Sequence, residues 1–187
     1  MSKVANIKKK TKFLFLDLDG TIIETKSGET FPVDKDDWKF KKGILPKISE
    51  YYQKGFQLAI ITNQAGIGDG HITILNFFEK LNTVLNNIAA YISSDIGNLP
   101  ENFQIPRIVA THKNHKFRKP NPDGILYLQQ QFNIDLKSSV FVGDASSKED
   151  FSDSDRQCAI NAGVGTYFDV EEFITHKSIL DNIEDKK

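Results

Sequence analysis

The chain has one cysteine, one methionine and one tryptophan among 187 residues, and its formal net charge is only −1. A single thiol, Cys158, excludes an internal disulfide and a cysteine-rich zinc site, and it fits a reducing compartment. Near-neutral charge excludes a surface that wraps a nucleic-acid duplex by bulk electrostatics, though not one that grips a few phosphates. No apolar stretch reaches the roughly 18 residues a spanning helix requires, so no membrane partner is expected. Lys8-Lys9-Lys10 before Phe13-Leu16 has the outline of a secretory leader, but Asp17 and Asp19 cut its apolar part short. Internal repeats and low-complexity linkers are also missing. What remains is an ordinary soluble composition, 39% hydrophobic and 26% charged, long enough for one domain with a real core. We expect a single domain over 1–187, with 1–11 a basic tail outside the fold.

Against this plain background Phe13-Leu14-Phe15-Leu16-Asp17-Leu18-Asp19-Gly20-Thr21 stands out. The apolar run is too short for a helix and too uniformly apolar for a surface strand, so it reads as a buried parallel strand. It ends in two carboxylates, which are costly to place beside a core without a partner. In open parallel sheets the carboxyl ends of the strands form the ligand crevice. Two acids there suit a hard cation such as Mg²⁺ and leave one free for covalent or proton chemistry.

Further strands are read at Phe56–Thr62, Arg107–Thr111, Ser139–Gly143 and Thr166–Phe168. Helical spacing marks Ile44 to Tyr52, stopped by Gly55, and a long helix with Leu75, Phe78, Leu81, Leu85, Ile88 and Ile92 on one face. Helices also fit Asp123–Phe132 and Asp155–Ala162, while Asn63–Gly70 reads as a loop. Ser27-Gly28 within Ile22–Phe31 reads as the turn of a short hairpin. The alternation predicts an α/β fold, a Rossmann-like parallel sheet with helices on both faces. Its strand ends would gather Asp17 and Asp19, Thr62 and Asn63, Arg118 and Lys119, and Asp144. Such a set can hold a metal and a phosphoryl group together.

The D-x-D-G-T segment, a threonine ending a strand, Lys119-Pro120 and Gly143-Asp144 resemble the haloacid dehalogenase (HAD) superfamily. The resemblance implies that Asp17 is the phosphoryl-accepting nucleophile and Asp19 the general acid and base. It implies that Thr62 and the Asn63 backbone N–H bind phosphoryl oxygens, and that Lys119 neutralises charge. Asp144 would complete a Mg²⁺ site with Asp17 and the Asp19 carbonyl. Asp150, Asp153 and Asp155 follow; Asp155 is preferred for the metal shell, Asp150 second, with N-capping as the plain alternative.

Intervening segments, including Thr25-Lys26-Ser27-Gly28, Asp36-Asp37-Trp38-Lys39, Ile61 to Gly68, Phe117-Arg118-Lys119-Pro120 and Lys148 to Ser152, resemble the 3′-phosphatase part of polynucleotide kinase 3′-phosphatase. That resemblance implies a capless HAD fold with a hairpin flap, acting with Mg²⁺ on DNA 3′ ends in repair. A monomer is expected, nuclear if the source is eukaryotic and otherwise intracellular. Where the family has Ala-Gly-Arg after Gly-Asp, this chain has Ala145-Ser146-Ser147-Lys148. No G-x-x-x-x-G-K-[ST] occurs, so no 5′-kinase is expected.

Three features have two readings each. Thr111 to Lys119 is the most basic loop, either solvated or tracking a DNA backbone. Phe31 is either core or a base-stacking platform at the crevice. His112 and His115 have ligand-like spacing but no further partners for zinc. Two rival functions stand beside the DNA phosphatase: a histidinol-phosphate or heptose-bisphosphate phosphatase, and an inactive module that caps DNA ends. The first usually carries a zinc-binding cysteine loop that one cysteine cannot supply.

Overall fold

Parallel pairing dominates the computed structural model, which describes residues 10–30, 32, 34–145 and 152–176. In chain order the elements are β1 (Phe13–Leu16), β2 (Ile23–Glu24), β3 (Lys39–Phe40), α1 (Ile44–Gln53), β4 (Gln57–Asn63), α2 (Ala65–Gly68) and α3 (Ile74–Ile96). There follow β5 (Arg107–Ala110), α4 (Asp123–Phe132), β6 (Val140–Gly143), α5 (Ser154–Ala162), β7 (Thr166–Asp169) and α6 (Val170–Thr175). Five strands form one sheet in the order β5-β4-β1-β6-β7, every pair parallel.

Side-chain alternation divides the core into two layers, one on each face of the sheet. Leu14, Leu16, Leu58, Ile60, Val140 and Val142 point to one face, where α1, α3 and α6 cover them. Phe13, Phe15, Ala59, Ile61 and Phe141 point to the other, under α4 and α5. β1 lies at the centre, paired with β4 and β6 and buried along its whole length, so its carboxyl end opens at the middle of the sheet. The order places the topological switch beside Asp17, where α/β sheets bind their ligands.

The hairpin differs from expectation. Its arms are β2 and β3, joined by residues 25–38, and Ser27-Gly28 is not the turn between them. The Ser27 N–H and hydroxyl both donate to the Asp37 carboxylate, at 2.8 and 2.7 Å, and this contact folds the long connection on itself. Trp38 against Phe40, edge to face at 5.6 Å, and a Lys39–Glu24 ion pair at 3.3 Å fix the arms. Two-residue arms carry too little alternation to be read from sequence. Phe31 lies outside the described residues.

The long helix keeps most of its expected face, with Leu81, Leu85, Ile88 and Ile92 buried and Phe78 packed against the core, and departs from it at Leu75. Phe77, Lys80, Leu81, Val84, Leu85, Ile88 and Ile92 are buried, whereas Leu75 is 65% exposed. The one-turn α2 occupies the expected glycine-rich loop, and α6 was not anticipated. Cys158 is buried in the α4–α5 layer as expected, its thiol donating to the Asn121 carbonyl; burial pushes it up to about 12.

Candidate active site

The end of β1 sends Asp17 inward and Asp19 outward. Asp17 is buried, and its backbone N–H continues the ladder to Val142 O at 3.0 Å. Its carboxylate receives the ammonium of Lys119, itself 3% exposed. Lys119 also meets Asp155 Oδ1 at 2.7 Å. Asp155 comes from the first turn of α5, not from a strand, and is 1% exposed. Asp144, just past β6, completes the group: one carboxylate oxygen each from Asp17, Asp144 and Asp155 lie within 4.8 Å of one another. Asp153 holds the N-cap position of α5 without a side-chain cap bond, while Asp155 lies in the first turn, as helix-dipole pairing expects, with its carboxylate engaged by Lys119 and the Ala145 N–H. Asp150 and Ser146 to Lys148 lie outside the described residues.

Two glycines make the convergence possible. Gly20 has φ near +80°, and a Cβ there would run into the Asp144 carboxylate. At Gly143 a Cβ would run into the Asp155 carboxylate instead. The acids therefore fold down against bare backbone on both sides of Asp17. Asp155 Oδ2 is held further by the Ala145 N–H at 3.2 Å.

Three carboxylates share one ammonium, and the electrostatics record the excess. Burial lifts Asp17 well above the usual carboxylate range, with Asp155 and Asp144 adding to the rise and Lys119 opposing it. Asp144 is pushed up to about 6, by desolvation first and then by Asp155. Burial alone would lower Lys119, but Asp17 and Asp155 outweigh it and hold its proton. Such a donor set fits a small hard cation: all-oxygen, negatively charged and confined. A divalent ion would reverse the rise at Asp17 and Asp144 by supplying the missing positive charge.

Thr62, buried at the end of β4, and Asn63, its last residue, stand across the crevice. Asn63 exchanges two hydrogen bonds with the Lys119 backbone: its Nδ2 donates to Lys119 O at 3.1 Å, and Lys119 N–H donates to its Oδ1 at 2.9 Å. The Asn63 side chain thus positions the lysine, a contact separate from the backbone N–H to which the sequence assigns the phosphoryl oxygens. Arg118 is half-buried in the loop before Lys119, and its Nη1 is buried with no hydrogen-bond partner among the described residues.

Asp19 has a different setting. Its side chain is 47% exposed, and its two oxygens are engaged separately. Lys80 approaches Oδ1 at 3.3 Å, and Gln64 Nε2 donates to Oδ2 at 2.6 Å while also reaching Thr62 Oγ1 at 2.8 Å. Sequence reasoning missed both partners. The available signal was Lys80 itself, a charge between Phe77 and Val84 on the buried stripe of α3. His112 and His115 form a ring pair at 5.2 Å, and no third metal ligand joins them among the described residues.

The family model for polynucleotide kinase 3 phosphatase matches residues 12–173. The chain belongs to that family. A 20.8 kDa protein of Autographa californica nuclear polyhedrosis virus is 33% identical, covering 89% of this chain and 87% of its own length. The bifunctional polynucleotide phosphatase/kinase of Schizosaccharomyces pombe is 30% identical over 98% of this chain, which spans 43% of that protein. A D-glycero-alpha-D-manno-heptose-1,7-bisphosphate 7-phosphatase of Burkholderia mallei is 33% identical, covering 84% of this chain and 78% of its own. Among solved structures, D,D-heptose 1,7-bisphosphate phosphatase from B. bronchiseptica, complexed with magnesium and phosphate, superposes with a TM-score of 0.64 at 21% identity. That superposition covers 83% of this chain and 79% of the other, and it establishes the shared HAD-like fold. The family member described here is thus a phosphatase of the HAD superfamily.

Proposed function

We propose that this protein is a Mg²⁺-dependent phosphatase of DNA 3′ ends, acting in DNA repair. The observation that carries the reading is how little regular structure the described residues place in the two segments that flank the crevice. Between β1 and α1 the described residues form only two-residue strands, and between β4 and α3 only one turn of helix. Neither segment is large enough to roof Asp19. A small metabolite needs walls on most sides to be held, whereas a polymer end brings its own length to an open site. The polynucleotide-phosphatase family match over 12–173 supports the same substrate.

The residues distribute the chemistry as follows. Asp17, Asp144 and Asp155 would hold the cation, which neutralises phosphate charge and the nucleophile's neighbours. A carboxylate oxygen of Asp17 attacks phosphorus in line, and the P–O3′ bond breaks. Asp19 delivers a proton to the departing O3′, so a 3′-hydroxyl leaves and an aspartyl-phosphate remains. Lys119 and the Thr62 hydroxyl stabilise the charge on the transferring phosphoryl oxygens. Asp19, now ionised, takes a proton from water as it attacks phosphorus, releasing inorganic phosphate and restoring Asp17. Lys80 and Gln64 hold the Asp19 carboxylate over this path.

A second reading, a heptose-bisphosphate phosphatase, draws on the 33% identity to the Burkholderia mallei enzyme. Phosphate release decides between them. Metal-dependent release from a 3′-phosphorylated oligonucleotide, absent with a 5′-phosphorylated one and lost in Asp17→Asn, is the expected result. Turnover of heptose bisphosphate with no release from oligonucleotides would transfer the site to the second reading.

A further inference from the structure

A formal net charge of −1 does not prepare for how cations are placed beside Lys119. From Thr111 to Pro122 the chain carries Lys113, Lys116, Arg118 and Lys119 and no carboxylate. This loop lines an open cleft of about 620 Å³ that takes in Lys119 and reaches Asn121 and Asn161, and no acidic residue is among its lining. Lys119 is committed to Asp17 and Asp155, and Lys113 leans on exposed Asp69 at 3.2 Å. Lys116 and Arg118 line the cleft without an ion pair among the described residues.

A second cleft of about 460 Å³ adjoins the first through His115, which lines both. Its other walls are Phe78, Phe117, Ile108 and Val109, with Arg107 5.9 Å from the Phe78 ring. Here too no carboxylate is present. His115 and Phe117, 5.6 Å apart, line the clefts, and each is flanked by a further ring: His112 lies 5.2 Å from His115, and Tyr127 lies 5.7 Å from Phe117. Lys116 lies 4.6 Å above Phe117, and Tyr127 is 46% exposed. Cations that accept a backbone, interleaved with rings that accept bases, form the surface that single-stranded nucleic acid requires.

We infer that these two clefts form a track for the single strand leading to the 3′ end, resting on the DNA 3′-phosphatase reading above. The terminal phosphate sits at Lys119. The preceding backbone phosphates lie along Lys116 and Arg118, and the preceding bases stack against His115, Phe117 and Tyr127. The strand therefore approaches over the β5 edge of the sheet, on the Lys119 side of the crevice.

The test compares thymidine 3′-monophosphate with 3′-phosphorylated oligothymidylates of increasing length, in wild type, Lys116→Ala, Tyr127→Ala and Lys116→Arg. The readout is the ratio of kcat/KM for the longest oligonucleotide to that for the mononucleotide. Wild type should favour length, and each alanine variant should lose roughly tenfold of that advantage, the scale of one stacked base or one desolvated phosphate contact. Lys116→Arg should keep it. The slope of log affinity against log salt should also fall by about 0.7 in Lys116→Ala. If wild type releases no phosphate from any oligonucleotide, the DNA reading itself fails. If wild type favours length and both alanine variants keep the full ratio and slope, only the track is overturned. A length advantage that appears solely with a complementary strand overturns its single-stranded character.

Discussion

Asp17 and Asp19 are two residues apart on one strand end, yet they occupy opposite environments. Asp17 is 7% exposed, in a pocket where three acids compete for one lysine, and everything about it is fixed from several directions. Asp19 is half open to solvent and held by one buried cation and one amide. The alternation of a strand sends neighbours once removed to the same side, but β1 ends at Leu16, and Gly20 with positive φ turns the chain at once. The difference teaches how a single turn can set two carboxylates in opposite surroundings, which the proposed reaction would divide into nucleophile and proton carrier. Pairs of carboxyl groups in contrasting surroundings are the usual mark of divided acid–base labour.

The most severe way to break the comparison is to remove its buried half. Asp17→Asn should reduce phosphate release by at least about 10⁴-fold, the scale of deleting a nucleophile, with the fold retained by circular dichroism. Turnover within tenfold of wild type would remove Asp17 from the chemistry.

The open half is probed next, through the leaving group. Asp19→Asn should cost roughly 10²- to 10⁴-fold with a nucleoside 3′-phosphate. Lys80→Met should lose part of that, with p-nitrophenyl phosphate, whose leaving group needs little protonation, spared in both variants. Lys80→Arg should restore the difference. Equal losses on both substrates would make Lys80 a purely structural residue.

Gly20→Ala sharpens the contrast by pushing on the boundary between the halves. Its Cβ would strike the Asp144 carboxylate, and its backbone would be strained. We expect about 1–2 kcal/mol of lost stability in denaturant titration and a higher Mg²⁺ requirement. Unchanged metal dependence would separate Asp144 from the cation.

The smallest effect is on pH-dependent stability. Asp144 titrates at about 6 in the folded protein, above the roughly 3.9 of an unfolded chain. The folded state therefore binds the proton more tightly. Metal-free protein should gain stability as pH falls from 6 towards 4 and lose it as pH rises through that window. Saturating Mg²⁺ should flatten or invert the trend in thermal melts. A Tm that rises with pH in the metal-free protein would contradict the crowding of charge around Asp17.

Much of this was legible because strong patterns met strong constraints. A buried central strand must be apolar throughout, so Phe13–Leu16 announced β1, and the acids after it announced the crevice. The helices α1 and α5 carried their own stop signals in Gly55 and Gly163, and both glycines take positive φ. Asp144 followed a strand and was visible for the same reason. The hairpin was misread because its pairing depends on Asp37 reaching back to Ser27, a contact without a local pattern. Lys80 was hidden because periodicity arguments count apolar positions and pass over a charge inside the stripe. The Asn63 clamp on Lys119 spans 56 residues of sequence, and only the folded chain reveals it.

The hold on Asp155 has one more consequence. It enters the cluster from a helix start, seated on Gly143, tethered to Ala145 and locked by Lys119. Each anchor comes from a different part of the fold: the end of β6, the residue after Asp144, and the lysine that follows β5. The third carboxylate of the cluster is therefore placed by the sheet end and the lysine together, and the helix that carries it only delivers it.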